Sequence, residues 1–216
     1  TYGVEYVRFP TDEGHSLRPN NGYGRGKLAA DSEFLAAYNH DGFPATIMKP
    51  STTYGPRMGL LRQIALEHSW LDRIRKGKPI LVSGEGRTLH QHMHVDDAAP
   101  AFVYALGRER CIGQVYNVVP DGCISWEVYH GTAMDVLGRE VELVGVPLDD
   151  MEALGVPGID LCRHILGHNN FLANGKLRRD IPEYHPVIGL AGGMARVIEA
   201  LDRDGRIPNS DELLWE

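Results

Sequence analysis

The residues Asn21-Gly22-Tyr23-Gly24-Arg25-Gly26-Lys27 lead directly into Leu28-Ala29-Ala30-Asp31-Ser32-Glu33-Phe34-Leu35-Ala36-Ala37-Tyr38, a run without proline or glycine. A breaker-free stretch of strong helix formers predicts a helix from about Tyr23 to Asn39, closing at Asp41-Gly42, where glycine can take the left-handed cap. On that helix Tyr23 and Lys27 fall one turn apart on one face. An ammonium beside a phenol favours phenolate, which brings a tyrosine toward the range of an acid/base catalyst. The same Y-x-x-x-K spacing also arises in an ordinary amphipathic helix, so the surrounding sequence has to decide its meaning.

Several further segments keep a fixed order around it. Thr1-Tyr2-Gly3, Thr11-Asp12-Glu13 and Leu17-Arg18-Pro19-Asn20 precede the tyrosine. Lys49-Pro50-Ser51-Thr52-Thr53-Tyr54-Gly55-Pro56-Arg57, Val82-Ser83-Gly84-Glu85-Gly86 and His94-Val95-Asp96-Asp97 follow it. In order and spacing the chain resembles the extended short-chain dehydrogenase/reductases, the NAD-dependent epimerase/dehydratase family, over nearly its whole length. The resemblance implies an α/β fold: the C-terminal part of a Rossmann-type doubly wound parallel sheet with a smaller, mixed and mostly helical substrate-binding cap. Residues 1–57 would carry the Rossmann part with the Tyr/Lys motif, and residues 58–216 mainly the substrate region, with some elements returning to the sheet.

The same resemblance implies an NAD or NADP cofactor, with Tyr23 as general acid/base and Lys27 on the nicotinamide ribose. Pro50 and Thr52 would join them around the cofactor, and Thr52, Arg57, Arg87, His90 and His92 would meet the substrate. The family's third catalytic residue, a serine or threonine, falls upstream of Thr1. A Rossmann nucleotide site also needs a strand, a glycine-rich turn and a helix N-terminus for the pyrophosphate. Gly22, Gly24 and Gly26 follow no strand and belong to the Tyr/Lys motif, so the nucleotide-binding half is expected to be missing, roughly a hundred residues of βαβ units. The reaction class stays open among epimerisation, dehydration, oxidoreduction and decarboxylation.

Four positions depart from the pattern of members acting on nucleotide sugars. Their R-P-x-N-x-Y-G-P reads Lys49-Pro50-Ser51-Thr52-Thr53-Tyr54-Gly55-Pro56 here, so lysine replaces the arginine and Thr52 the asparagine. His90 stands where an arginine grips the substrate diphosphate, followed by Gln91 in place of an aspartate. Imidazole does not reproduce a forked guanidinium, so a modified sugar, sugar acid or secondary metabolite is expected rather than a standard nucleotide-diphosphate sugar. Alternatives are a redox-silent binding or scaffold member, and a non-redox lyase or isomerase using Tyr23 with His90, His92 and His94. On one strand those histidines would share a face at about 6.6 Å spacing; packing and substrate contact are preferred to a metal site.

Composition narrows the partners. The formal net charge is −7, without a basic stripe, which speaks against nucleic acid. Cys111, Cys123 and Cys162 are odd in number and lack C-x-x-C spacing, which fits a reducing cytoplasm better than a disulfide framework. No apolar run is long enough to span a membrane. A homodimer is expected from the resemblance.

Among the other elements, the apolar residues between 58 and 76 suggest a helix broken at Gly77-Lys78-Pro79. Short strands are expected at Ala45-Thr46-Ile47-Met48, Ile80-Leu81-Val82, from Leu89 to Val95, over 114–119 and over 141–146. Asp96 or Asp97 should cap a helix reaching about Leu106, and Ser125 one from Trp126 to Leu137. Later helices are read from Ile159 to Leu166 and from Leu190 to Leu201, with Gly192-Gly193 a packing or kink feature.

Overall fold

The computed structural model describes residues 1–4 and 7–212. In chain order its elements are helix α1 (Gly22–Asp41), strands β1 (Ile47–Pro50) and β2 (Thr52–Tyr54), helix α2 (Ser69–Lys76), and strands β3 (Ile80–Ser83), β4 (Leu89–His90) and β5 (His92–His94). Helix α3 (Val95–Ala105), strands β6 (Val115–Val118) and β7 (Ile124–Ser125), helix α4 (Trp126–Leu137) and strand β8 (Leu143–Val146) follow. The chain closes with helices α5 (Leu148–Ala153), α6 (Ile159–Leu161), α7 (Gly175–Asp180) and α8 (Leu190–Arg203). It divides into two compact units. One comprises Thr1–Thr53, Gln91–Gly122 and Phe171–Val187; the other comprises Tyr54–His90, Cys123–Asn170 and the chain from Ile188.

The first unit is built on a parallel pair. Ile47 to Pro50 of β1 run beside Val115 to Val118 of β6 in unbroken register. Apolar residues of β6, α3 and α7, including Tyr116, Val118, Ala101 and Leu177, form its core with Ile181 just past the end of α7. Asn117 is wholly buried, yet its side chain has no unpaired role there. Its Oδ1 accepts from the Tyr2 hydroxyl at 2.8 Å, and its Nδ2 donates to the Thr11 and Ala173 carbonyls at 3.1 and 3.2 Å. One amide therefore ties the N-terminal loop and the 171–173 segment to β6.

Gln91 makes a second latch. Its Nε2 donates to the carbonyls of Pro120 and Leu172, and its Oε1 accepts from Leu172 N at 2.8 Å. Replacing Asn117 with leucine leaves a hydroxyl and two carbonyls without that partner, so an expected loss of about 3 kcal/mol or more follows. Urea unfolding checks this; a loss under about 1 kcal/mol would mean that water takes over the amide's bonds.

In the second unit β3 pairs parallel with β8, and β4 antiparallel with β7. Helices α2, α4 and α8 enclose a core of Trp70, Leu71, Trp126, Tyr129, Met194 and Leu201. Gly193 permits the close approach within it: a Cβ there would stand 2.3 Å from the Tyr54 hydroxyl oxygen. That is the packing role expected for this glycine.

Several expected boundaries change. The helix expected over 58–76 forms only from Ser69 to Lys76, capped by Gly77 at φ +71°. Upstream, Leu60, Ile64 and Ala65 are buried, as their apolar character requires, but so are Arg62 and Gln63. Arg62 donates to the Leu81 carbonyl and to Glu67, while Gln63 donates to Thr88 and accepts from Ser83 N. Tertiary hydrogen bonds to β3 and its neighbours thus hold this stretch as an ordered loop, against its helical periodicity.

The first strand lies two residues later than expected, at Ile47–Pro50. Helix α3 is capped by His94 and not by an aspartate. Its Nδ1 accepts from Asp96 N at 3.2 Å, and Asp97 instead accepts from Val187 N at 3.0 Å. The expected Ile159–Leu166 helix begins as α6 and passes into a π turn over Cys162–Leu166. Helix α4 is as expected, with Ser125 accepting from Val128 N and Gly138 left-handed at φ +67°.

Candidate active site

Helix α1 starts and stops on local chemistry. Asn21 is extended at φ −126°, and its Oδ1 accepts from Gly24 N at 2.7 Å; Gly42 closes the far end at φ +68°. Gly24, Leu28, Asp31, Leu35 and Tyr38 form the less exposed stripe, spaced three and four apart, and Gly24 is the buried one. A Cβ on Gly24 would stand 2.7 Å from Pro19 Cβ. The glycine after Tyr23 therefore lets the start of α1 sit against Pro19, and this turns Tyr23 outward.

Tyr23 is 70% exposed, and Lys27 Nζ lies 5.5 Å from the centroid of its ring. That is cation–π distance. Pro50 at the end of β1 and Thr52 at the start of β2 belong to the same compact unit, as does half-buried His92 on β5. Pro50 is exposed at the carboxyl end of a parallel strand, the edge at which α/β sheets bind ligands.

Arg57, Arg87 and His90 belong to the other unit. Arg57 is exposed and lends its carbonyl to Arg206, and Arg87 is exposed and paired with Glu85 at 3.0 Å. His90 is the expected substrate residue whose surroundings fit that role least. It is fully buried, donates from Nε2 to the His168 carbonyl at 2.8 Å, and packs against Trp126 with ring centroids 5.2 Å apart. The three histidines thus have separate environments: His90 is a core residue, His92 is half-buried on β5, and His94 caps α3. Among the described residues no group of three or more His, Cys, Asp or Glu side chains is placed to hold a metal ion.

Burial lowers the His90 pKa to about 4, and lowers that of His130, which donates from Nδ1 to the Trp126 carbonyl at 2.8 Å, to about 3. Unfolded histidine titrates near 6.5. Below that value the unfolded chain takes up protons that the folded chain refuses, so stability falls as the pH drops from about 6.5 toward 4. The expected slope is about 1.4 kcal/mol per pH unit for each histidine. His130→Phe should flatten the dependence of urea stability on pH between 7 and 5; an unchanged slope would contradict the assignment.

A groove of about 610 Å³ opens in the first unit, lined by Asp12, Glu13, Leu35, Gln114, Lys176 and Arg179 among others. Tyr23 and Lys27 do not line it. Its charged groups already have protein partners: Glu13 accepts from Asn117 N, Lys176 donates to the Val115 carbonyl, and Arg179 pairs with Asp180.

Helix α1 also carries a charge pair to β1 that no local sequence pattern announces. Lys49 Nζ lies 3.1 Å from Asp31 Oδ2 and 4.9 Å from the centroid of the Tyr2 ring. Tyr2 is itself buried, and burial, with Glu13 nearby, raises its phenol pKa well above the usual value. The available signal was Asp31 at the same i+4 spacing from Lys27 that separates Lys27 from Tyr23.

A model of the NAD dependent epimerase/dehydratase family matches residues 1–118, more than half of the chain. The chain is 33% identical over 106 residues to dTDP-glucose 4,6-dehydratase of an Actinoplanes species, covering 49% of this chain and 32% of that protein. It is 24% identical over 205 residues to 2'-dehydrokanamycin reductase of Streptomyces kanamyceticus, covering 94% and 57%. Among solved structures, UDP-glucose 4-epimerase of Thermotoga maritima, in complex with UDP-glucose, superposes with a TM-score of 0.74 at 18% identity, covering 94% and 60%. RMD of Pseudomonas aeruginosa, complexed with NADPH, gives 0.73 at 18% identity, covering 94% and 64%. These likenesses agree with the Rossmann-type α/β fold expected from the sequence. The chain spans less than two thirds of the length of each of these relatives.

Proposed function

This chain belongs to the NAD dependent epimerase/dehydratase family, and we propose that it works in an NAD(P)-dependent sugar epimerase, dehydratase or reductase whose acid/base pair is Tyr23 and Lys27. The observation that carries the reading is the Lys27 ammonium 5.5 Å from the ring of an exposed Tyr23, at the start of α1. An accessible phenol and ammonium suit the hydroxyls of a ribose and of a substrate, so the donor set fits a nicotinamide nucleotide. When bound, the nicotinamide supplies a hydride acceptor or donor. Tyr23 exchanges a proton with the substrate hydroxyl, Lys27 holds the ribose, and Pro50 and Thr52 border the cofactor. Arg57, Arg87 and His92 remain candidate substrate contacts.

We further propose that the substrate is a modified sugar, sugar acid or sugar-containing secondary metabolite. Support comes from position 90, where a diphosphate-gripping arginine would stand: His90 is buried and donates to a backbone carbonyl. Lys49, in the place of a second arginine, is engaged by Asp31. Thr52 cannot reproduce an asparagine amide. The relative named for reduction of 2'-dehydrokanamycin is compatible with this class. A homodimer in the cytoplasm completes the reading; the free thiols of Cys111, Cys123 and Cys162 support the reducing compartment alone.

The test presents the purified full-length protein, with oxidised and with reduced NAD or NADP, to a panel of nucleotide sugars, sugar acids and aminoglycosides. Absorbance at 340 nm reads net oxidation or reduction, and mass spectrometry with chromatography of the sugar reads dehydration or epimerisation, which return the hydride. Turnover of a sugar acid or aminoglycoside is expected. Turnover confined to nucleotide-diphosphate sugars would overturn the substrate class, and a protein that binds neither nucleotide would overturn the cofactor.

A further inference from the structure

Asp31 has a choice of cations. It lies four residues beyond Lys27 on an unbroken helix, and side chains at that spacing are neighbours. Tyr23 lies four residues before Lys27, one turn in the opposite direction. An ion pair between Lys27 and Asp31 would therefore draw the ammonium along α1 and away from the phenol.

Lys49 takes the carboxylate instead. Its Nζ is 3.1 Å from Asp31 Oδ2, with the Lys49 and Asp31 side chains 12% and 16% exposed. Lys27, by contrast, is exposed. An ion pair shielded from water is screened less than one between solvated side chains, so the competition favours Lys49. The strand fixes Lys49 for this role: it stands opposite Asn117 in the β1–β6 register, and Tyr2 bridges the two positions. The Tyr2 hydroxyl donates to Asn117 Oδ1 at 2.8 Å, while its ring lies 4.9 Å from Lys49 Nζ.

We propose that Lys49 is a positioning residue for the Tyr23–Lys27 pair: by holding Asp31 it leaves the Lys27 ammonium to the Tyr23 ring. The catalytic importance of this arrangement rests on the reading of Tyr23 and Lys27 as an acid/base pair. The contact itself can be measured whatever chemistry the pair performs, so failure of one is distinct from failure of the other.

Nuclear magnetic resonance with selectively labelled lysine and tyrosine tests it, with thermal unfolding as a check on the fold. The wild type is expected to show cross-peaks between the Lys27 ε-protons and the Tyr23 ring, with an upfield ring-current shift of those protons. Lys49→Met should lose both, Lys49→Arg should keep both, and the double variant Asp31→Asn with Lys49→Met should regain both because the competing charge is gone. A purely structural role for the pair would lower stability in Lys49→Met and leave the Lys27–Tyr23 contact unchanged; that result overturns the proposal. Ala30→Glu keeps the test decisive even if Lys49→Met fails to fold. Residue 30 is exposed, and a glutamate there places a carboxylate one turn from Lys27 that Lys49 does not hold. Loss of the cross-peaks supports the proposal, and their persistence overturns it.

Discussion

Replacing Tyr23 with phenylalanine is expected to lower kcat for nicotinamide-dependent turnover by roughly 10² to 10⁴-fold, the usual contribution of a positioned general acid/base. The substitution is selective. Phenylalanine keeps the ring beside Lys27 Nζ, so the cation–π contact survives and only the O–H is removed. Tyr23 is 70% exposed, so thermal stability should change little. Steady-state rates at saturating nucleotide, compared at equal bound nucleotide, measure the effect. A Tyr23→Phe protein within about twofold of wild type would remove the phenol from the chemistry, because a group that transfers the proton contributes far more.

The largest expected effect on stability is at Trp126. The side chain is fully buried, its Nε1 donates to the Leu166 carbonyl at 3.0 Å, and its ring contacts His90, Tyr129 and His130 at centroid distances of 5.2, 5.1 and 5.8 Å. Trp126→Ala empties this box and leaves a carbonyl unpaired, so a loss of about 3–5 kcal/mol is expected. Trp126→Phe keeps most of the ring volume and forfeits the hydrogen bond, for a loss of about 1–2 kcal/mol. Urea unfolding at neutral pH compares the two. Equal losses in both would mean that the hydrogen bond, and not the packing, dominates.

The acid dependence expected from His90 and His130 comes from the same box. Both rings are held neutral by burial against Trp126, and the hydrogen bond that each donates to a backbone carbonyl offsets only part of that effect. This is also why His90 is a poor candidate for gripping a substrate phosphate: protonation, which that task would require, is opposed by burial.

What the sequence made legible was local. Asn21, the breaker-free run and Gly42 define α1 by capping and propensity, and Ser125 and Gly138 define α4 in the same way. The parallel strands were legible from their apolar, β-branched cores, with ends displaced by a residue or two. The segment from residue 58 to 68 was not, because periodicity registers buried apolar side chains without showing that Arg62 and Gln63 are buried among them. His94 is a cap that propensity does not rank, since aspartate normally takes that role and two aspartates follow it.

The candidate site divides in the same manner. The Tyr23–Lys27 contact lies within one helix turn and follows from spacing alone. The partner of Lys49 depends on how α1 and β1 pack, and no local pattern carries that. The grouping of Gln91–Gly122 and Phe171–Val187 with the first 53 residues is likewise a product of tertiary hydrogen bonds, those of Asn117, Gln91 and Thr11 in particular.

The central claim is that this chain serves nicotinamide-dependent redox chemistry on a sugar-like substrate. The most direct measurement uses a substrate turned over in the panel, deuterated at its carbinol carbon, with mass spectrometry of the nucleotide in samples quenched in the course of a single turnover, before any returning hydride leaves it. Deuterium on the nicotinamide ring in the wild type, and little or none in Tyr23→Phe over the same interval, is the predicted result. Product formed at full rate without deuterium on the nucleotide at any point of the turnover would contradict the account and point to a reaction that never passes a hydride.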